Sequence, residues 1–203
     1  MHPFHILILA AGASTRMGRP KQLLPYKETT LLGHALSIAK ATKPTSLHVI
    51  LGANRVKIEE SISFEGVHIT HNPDWETGMA GSIKCGINSI LEGSSADLGV
   101  VIMLGDQPFV NEKLLRELYE KAEESAKGMA ASAYEKNYGV PAYFSPAYYP
   151  KLLQLSGQAG AGKLFKLFPD DLVSVPALEV LADVDTPEDY QNLISGKLST
   201  RSK

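Results

Sequence analysis

His5-Ile-Leu-Ile-Leu-Ala-Ala-Gly-Ala-Ser-Thr-Arg-Met-Gly-Arg-Pro-Lys21 begins as an unbroken apolar run, then becomes a string of small residues followed by cations. The apolar half, His5–Ala10, suits a strand buried on both faces, as in the middle of a parallel sheet. Ala10, Ala11, Gly12 and Ala13 carry almost no side-chain bulk, so a ligand can approach their backbone N–H groups closely. Arg16, Arg19 and Lys21 follow at once. Small residues with several cations behind them make a cradle for a polyphosphate rather than for a sugar or a hydrophobe. Spacing excludes two better-known phosphate turns. Between Gly12 and Gly18 stand five residues where a P-loop has four, and Arg-Pro-Lys replaces Gly-Lys-Ser/Thr. A dinucleotide fingerprint needs an acidic residue after the second strand, where this chain has Leu51-Gly52-Ala53.

Working outward, the same strand-then-helix rhythm repeats. Leu31–Thr42 has a helical apolar period, Ser46–Leu51 reads as a strand stopped by Gly52, and Val56–Ile62 as a helix. Val67–Thr70 is a short strand. Met79–Leu91 places Met79, Ile83, Ile87, Ile90 and Leu91 on one helical face. Leu98–Leu104 is the strongest buried strand, and Asn111 looks like the N-cap of a helix running to about Lys127. This alternation predicts parallel strands joined by right-handed crossovers. Beyond it, Met129–Tyr134 and Val140–Phe144 read as strands separated by an Asn137-Tyr-Gly139 turn. Short helices are expected at Tyr148–Leu155 and Gly162–Phe168, a strand at Leu172–Val175, and a helix entered by Thr186-Pro187. The expected fold is an α/β protein, a three-layer α/β/α Rossmann-like sandwich with a mostly parallel mixed sheet. In such sheets ligands bind beyond the carboxyl ends of the strands, so the turns after residues 10, 71 and 104 should converge.

With 203 residues and ~150 in a typical domain, a single domain over 1–195 is expected, with 196–203 as a flexible polar tail. The net charge of −2 supplies no basic field for nucleic acid or an anionic membrane surface. One cysteine excludes an internal disulfide and a Cys-rich metal site. The six histidines show no i, i+4 pair suited to zinc. Ile6–Ala11 is too short to span a bilayer, and no Lys or Arg precedes it as in an export signal. A cytoplasmic protein is expected.

Leu-Ala-Ala-Gly-x-Ser-x-Arg-Met-Gly-x-Pro-Lys-x-Leu-Leu, with Leu31-Leu32-x-His34 after it, resembles the opening of the small nucleotidyltransferases of the nucleotide-diphospho-sugar transferase fold. His71-Asn-Pro73, Gly78-Met-Ala-Gly-Ser82, Gly105-Asp-Gln-Pro108 and Asp183-Val-Asp-Thr-Pro-Glu-Asp189 are similar to later blocks of its MobA-like branch, the molybdenum cofactor cytidylyltransferases. The blocks run in family order from residue 9 to 189.

The resemblance implies transfer of CMP from CTP to a phosphorylated acceptor, molybdopterin, with release of pyrophosphate. It also implies a Mg²⁺ ion and a transient contact with a molybdoenzyme. Arg16 and Lys21 are the candidates for the β- and γ-phosphates, where leaving-group charge grows. Asp106, leaving the strongest strand inside Gly-Asp-Gln-Pro, is the candidate Mg²⁺ ligand, a hard oxygen for a hard cation. Arg16, Lys21 and Asp106 together form the expected catalytic set. Asp185 is the second metal candidate, with Asp183 as an alternative to it. Leu9, Ala10, Ala11, Gly12, Arg16, Lys21, Gly78 and Ser82 are expected to bind the nucleotide, Ser82 through the base. Two segments depart from the family. Gly157-Gln-Ala-Gly-Ala-Gly162 lacks an Asp and an Arg, with Lys163 as a substitute cation, and Gly139-Val-Pro141 leads to Ala142-Tyr143 without a His. Both are expected to face the acceptor. Two alternatives stay open: nucleotidyl transfer to a sugar or polyol phosphate, and a non-catalytic carrier or insertion chaperone for the finished cofactor.

Overall fold

A computed structural model describes residues 2–93, 95–134, 137–177 and 183–197. In chain order the elements are β1 (His2–Leu9), β2 (Pro25–Tyr26), β3 (Thr29–Thr30), α1 (Leu31–Ala41), β4 (Pro44–Leu51), α2 (Arg55–Ser61), β5 (His68–His71), α3 (Met79–Leu91), β6 (Gly99–Leu104) and α4 (Glu112–Ser125). There follow β7 (Met129–Tyr134), β8 (Asn137–Phe144), α5 (Tyr149–Leu153), α6 (Gly162–Leu167), β9 (Leu172–Pro176) and α7 (Pro187–Ile194). The expected tail from Gly196 onward falls largely outside the described residues.

Seven strands form one sheet in the order β5-β4-β1-β6-β8-β7-β9. β1 pairs in parallel with both β4 and β6, and β7 with β9. β8 runs antiparallel to both its neighbours. The reversal follows from chain length: positions 135 and 136 alone separate β7 from β8, too few for the crossover that a parallel pair requires. The expected Asn137-Tyr-Gly139 turn is corrected here. Tyr134 pairs with Asn137, Ala133 with Tyr138 and Ser132 with Gly139, so the ladder runs through turn-like residues. The expected three-layer sandwich with a mostly parallel mixed sheet is the architecture observed.

β1 shows why its sequence lacks alternation. Ile6 and Ile8 face one layer with Leu32, Leu36, Leu114 and Leu118, whereas Leu7 and Leu9 face the other with Ile83, Ile87, Leu152 and Phe165. A strand covered on both sides has no polar face to display. A third apolar cluster lies outside the sheet, where Met17, Leu24 and Leu31 meet Val184, Tyr190 and Leu193 of the C-terminal segment. α7 starts with a capping box: Thr186 accepts from the Asp189 backbone N–H while Asp189 accepts from that of Thr186. No helix among the described residues is long and apolar enough to cross a membrane.

One polar chain crosses the buried face beneath α3. His5 Nε2 meets the Ser95 carbonyl at 2.8 Å, and its Nδ1 meets Ser46 Oγ at 2.7 Å. Ser46 Oγ meets His48 Nε2 at 2.7 Å, and His48 Nδ1 meets Ser89 Oγ at 3.1 Å. Since Ser95 can only accept, His5 donates from Nε2 and its Nδ1 accepts the Ser46 proton. Ser46 then accepts from His48 Nε2, and His48 Nδ1 accepts from Ser89. With both rings neutral, each link has one donor and one acceptor.

Candidate active site

The glycine-rich turn leaves β1 with its carbonyls tied down and its N–H groups free. Ala10 N–H still donates to Ile50 O at 3.0 Å, but Ala11 O has turned to accept from Ala53 N–H at 3.0 Å. Ala10 O and Gly12 O each accept from Gln22 Nε2 at 2.9 Å. Among the described residues the N–H groups of Ala11, Gly12 and Ala13 have no hydrogen-bond partner. Such a row of unpaired donors is an anion-binding concavity. Ser14 then takes a left-handed conformation, φ 58°. Its hydroxyl accepts from Lys21 N–H at 3.1 Å and donates to Gln22 Oε1 at 3.3 Å, which ties the start of the turn to its end. Gly52 allows this packing, since a Cβ there would lie 2.8 Å from Ala11 O and 2.6 Å from Trp75 Cβ.

Opposite the turn stands a cluster of charges. Arg16 contacts Asp185 at 2.9 Å, and Lys21 Nζ contacts the other oxygen of Asp185 at 2.8 Å. Lys21 also pairs directly with Asp106 Oδ2. Asp106 is buried at 8% exposure, and its second oxygen, Oδ1, is enclosed with no hydrogen-bond partner among the described residues. Val184 N–H donates to Asp106 O at 3.2 Å, which brings the segment holding Asp183 and Asp185 against Gly105-Asp-Gln-Pro. Burial works against the Lys21 ammonium, but the charges of Asp106 and Asp185 outweigh it and hold the pKa above the usual lysine value. Burial likewise works to raise Asp185, but Lys21 and Arg16 hold it below the ordinary carboxylate range. The Asp183 side chain is open along the cleft yet flanked by protein, and it is pushed up to about 6 by desolvation and then by the charge of Asp106. Among the described residues no three His, Cys, Asp or Glu side chains form a group able to hold a metal ion unaided.

The third wall is the start of α3. Ser82 is buried at 5% exposure, and its hydroxyl accepts from Asn72 Nδ2 at 3.0 Å. Asn72 Oδ1 in turn accepts from Asp74 N–H at 3.1 Å. Gly78 has φ 117°, a conformation closed to ordinary L residues, and a Cβ there would lie 2.4 Å from Gly157 O. That carbonyl accepts from Ala80 N–H at 3.3 Å, so the 157–158 segment closes over the helix start.

These walls enclose a cleft of about 530 Å³, a size suited to a small-molecule ligand. The expected catalytic, nucleotide-binding and metal residues line it: Leu9, Ala10, Ala11 and Gly12 of the turn, Arg16 and Lys21, Gly78 and Ser82, and the carboxylates Asp106 and Asp185 with Asp183 beside them, whereas the 139–143 segment does not. The turns after residues 10, 71 and 104 therefore meet as expected. Gln158, in the segment expected to face the acceptor, also lines the cleft, as does Trp75; Met79 and Gln22 line it without having been picked out for it. Gln22 follows Lys21 as an ordinary polar residue, and only its hydrogen bonds reveal what it holds. Four other residues stand elsewhere. Arg19 lies 5.7 Å over the Tyr190 ring, Tyr148 and Tyr149 are core residues, and Lys163 is exposed outside the cleft lining, so the expected cation substitution is not realised there.

Residues 6–175 match the MobA-like NTP transferase domain family. The purine catabolism protein PucB of Bacillus subtilis (strain 168) is 31% identical over 198 residues, 91% of this chain and 92% of that protein. The nicotine blue oxidoreductase of Paenarthrobacter nicotinovorans is 28% identical over 197 residues, 93% of this chain and 95% of that one. The crystal structure of Rv0371c from Mycobacterium tuberculosis H37Rv superposes with a TM-score of 0.80 at 31% identity, covering 95% of this chain and 98% of that chain. A structure of Rv0371c in complex with manganese gives 0.76 at 29% identity, with the same coverage.

Proposed function

The chain belongs to the MobA-like NTP transferase domain family, and on that premise we propose that it moves CMP from CTP to a phosphorylated small molecule, molybdopterin, expelling pyrophosphate. General nucleotidyl-transfer chemistry accompanies the family. The choice of CTP rests on the resemblance of Leu9-Ala-Ala-Gly12 and Ser82, and that of a pterin acceptor on the likeness of the later blocks, from His71 to Asp189. The observation that carries the reading is the pairing, across one cleft, of unpaired backbone donors with Arg16, Lys21 and a buried carboxylate. Such a site suits a row of phosphate oxygens together with a cation.

The residues fit a divalent ion. Asp106 Oδ1 is enclosed and lacks a partner among the described residues, and Asp185 supplies further hard oxygen donors nearby. A triphosphate could complete the shell that the protein alone does not. Asp106 and Asp185 would hold Mg²⁺, which when bound neutralises charge on the phosphates. Lys21 and Arg16 then exchange carboxylate partners for β- and γ-phosphate oxygens, where charge accumulates as the bond from the α-phosphorus to pyrophosphate breaks. An acceptor phosphate is already ionised at neutral pH, so it attacks the α-phosphorus with no protein base, and positioning supplies the rate. Ser82 faces the base.

A thermal-shift panel with Mg²⁺ tests the donor. CTP should stabilise the protein more than GTP, ATP or UTP, because bound ligand raises stability by mass action. A GTP preference overturns the cytidylyl assignment. Asp106→Ala should keep its fold and lose pyrophosphate release by about 10²-fold or more. Release near the wild-type rate removes Asp106 from the site. Running molybdopterin beside sugar and polyol phosphates identifies the acceptor, and ligand binding without pyrophosphate release from any of them points to a carrier instead.

A further inference from the structure

We propose that Gln22 is a positioning residue, whose buried amide presets the N–H groups of Ala11 and Ala13 to receive phosphate; the inference rests on the triphosphate reading above. Gln22 is 3% exposed, yet its polar atoms are satisfied by the turn itself. Nε2 donates to Ala10 O and to Gly12 O, both at 2.9 Å, and Oε1 accepts from Ser14 Oγ at 3.3 Å. These partners define which end of the amide is which, since carbonyls can only accept.

The consequence follows from peptide geometry. In a trans peptide the C=O and the next N–H point in opposite directions. Drawing Ala10 O toward Gln22 turns the Ala11 N–H away from it, and drawing Gly12 O does the same to the Ala13 N–H. Ala53 N–H acts likewise on the peptide between them, through Ala11 O. Without the amide, the buried Ala10 carbonyl and the Gly12 carbonyl would lose this donor, and the peptides would be free to rotate toward other donors. The bond to Ser14 Oγ supports a residue held at φ 58°, which few non-glycine residues occupy without local support. Because Gln22 directly follows Lys21, one short turn (Lys21–Leu23) sends a cation to the cleft and an amide to its back. The charged and neutral phosphate donors are thereby held in register.

Amide NMR of the whole chain, titrated with inorganic tripolyphosphate, reads these groups directly. The Ala11 and Ala13 amide protons should shift downfield at saturation. Gln22→Met keeps length and removes both donors, and its Kd for tripolyphosphate should rise at least about tenfold. The loss should be the same factor at low and high salt, since neutral donors are removed, whereas Lys21→Ala also flattens the salt dependence. Unmoved Ala11 and Ala13 amides in saturated wild type overturn the proposal, as does wild-type affinity in Gln22→Met. If Gln22→Met does not fold, Gln22→Glu serves: it should bind weakly at neutral pH and recover relative to wild type as acid returns a proton to the carboxyl. No relative recovery overturns the role. Failure of wild type to bind either tripolyphosphate or CTP removes the reaction proposed above and Gln22's role with it. Normal binding with unmoved amides removes the role of Gln22 alone.

Discussion

Lys21 is shared by Asp106 and Asp185, and Arg16 leans on Asp185 from outside. Each cation that a triphosphate would use is thus already paired with a carboxylate that a metal ion would use. Lys21→Ala should weaken CTP by about 10–100-fold while changing CMP little, because the outer phosphates are the groups it meets. Calorimetric titration of both nucleotides checks this, and equal losses would mean that Lys21 does not reach them. The cations, the bare turn and Asp106 were legible in the sequence because their chemistry belongs to residue type and to position at a strand end. Gln22 was not, and Asn72 stood in a motif block without a role, because a side chain that serves the backbone leaves no periodic trace. The opposing pushes on Asp183 and Asp185, one raised and one lowered, likewise arise from neighbours remote in sequence.

α3 connects the Ser82 end of the cleft to the core, and it depends on Gly78. An alanine there would have to adopt φ 117° and place its Cβ 2.4 Å from Gly157 O. Gly78→Ala should cost about 2–4 kcal/mol and weaken nucleotide binding as well, since Ser82 moves with the helix start. Chemical denaturation with a CTP titration reads both. Thr186→Ala should cost about 1 kcal/mol through loss of the α7 capping box, with the cleft's affinity the more sensitive readout because α7 packs under the turn. The sequence delimited α3 and α7 well, one by its apolar period and the other by Thr-Pro. It misjudged the face of α3: Met79 and Leu91 are 39% and 41% exposed, while Ala80, Ser82 and Gly86 lie inward. Small residues carry little hydrophobic signal, yet they permit the close approach of helix and sheet. The β2–β3 hairpin also escaped notice, because two residues per strand show no alternation.

At the scale of the whole molecule, the His5–Ser46–His48–Ser89 chain joins β1, β4 and α3 in a form that requires neutral rings. Burial, then His68 and His5, lower His48 to about 4, and burial lowers His5. The unfolded chain takes up these protons near pH 6.5 while the folded one does not, so stability is complete above pH 6.5 and falls as the pH drops toward 4. The loss should be on the order of 2 kcal/mol, visible as a falling melting temperature over that window and smaller in His48→Gln. A flat profile would mean that the chain accommodates protonated rings. The architecture as a whole was legible because strand and helix alternate along the first two thirds. The reversed strand depended on a ladder through Asn137-Tyr-Gly139 that composition argues against. The seam between Asp106 and Val184 has an effect in time as well as in space. A ribosome delivers the bare bend well before the last carboxylate, 169 positions after Arg16, and the helix that seals beneath it. A nascent chain that has not yet reached Asp185 therefore exposes the bend without that counter-charge, and the pocket is finished only once this later segment has been made.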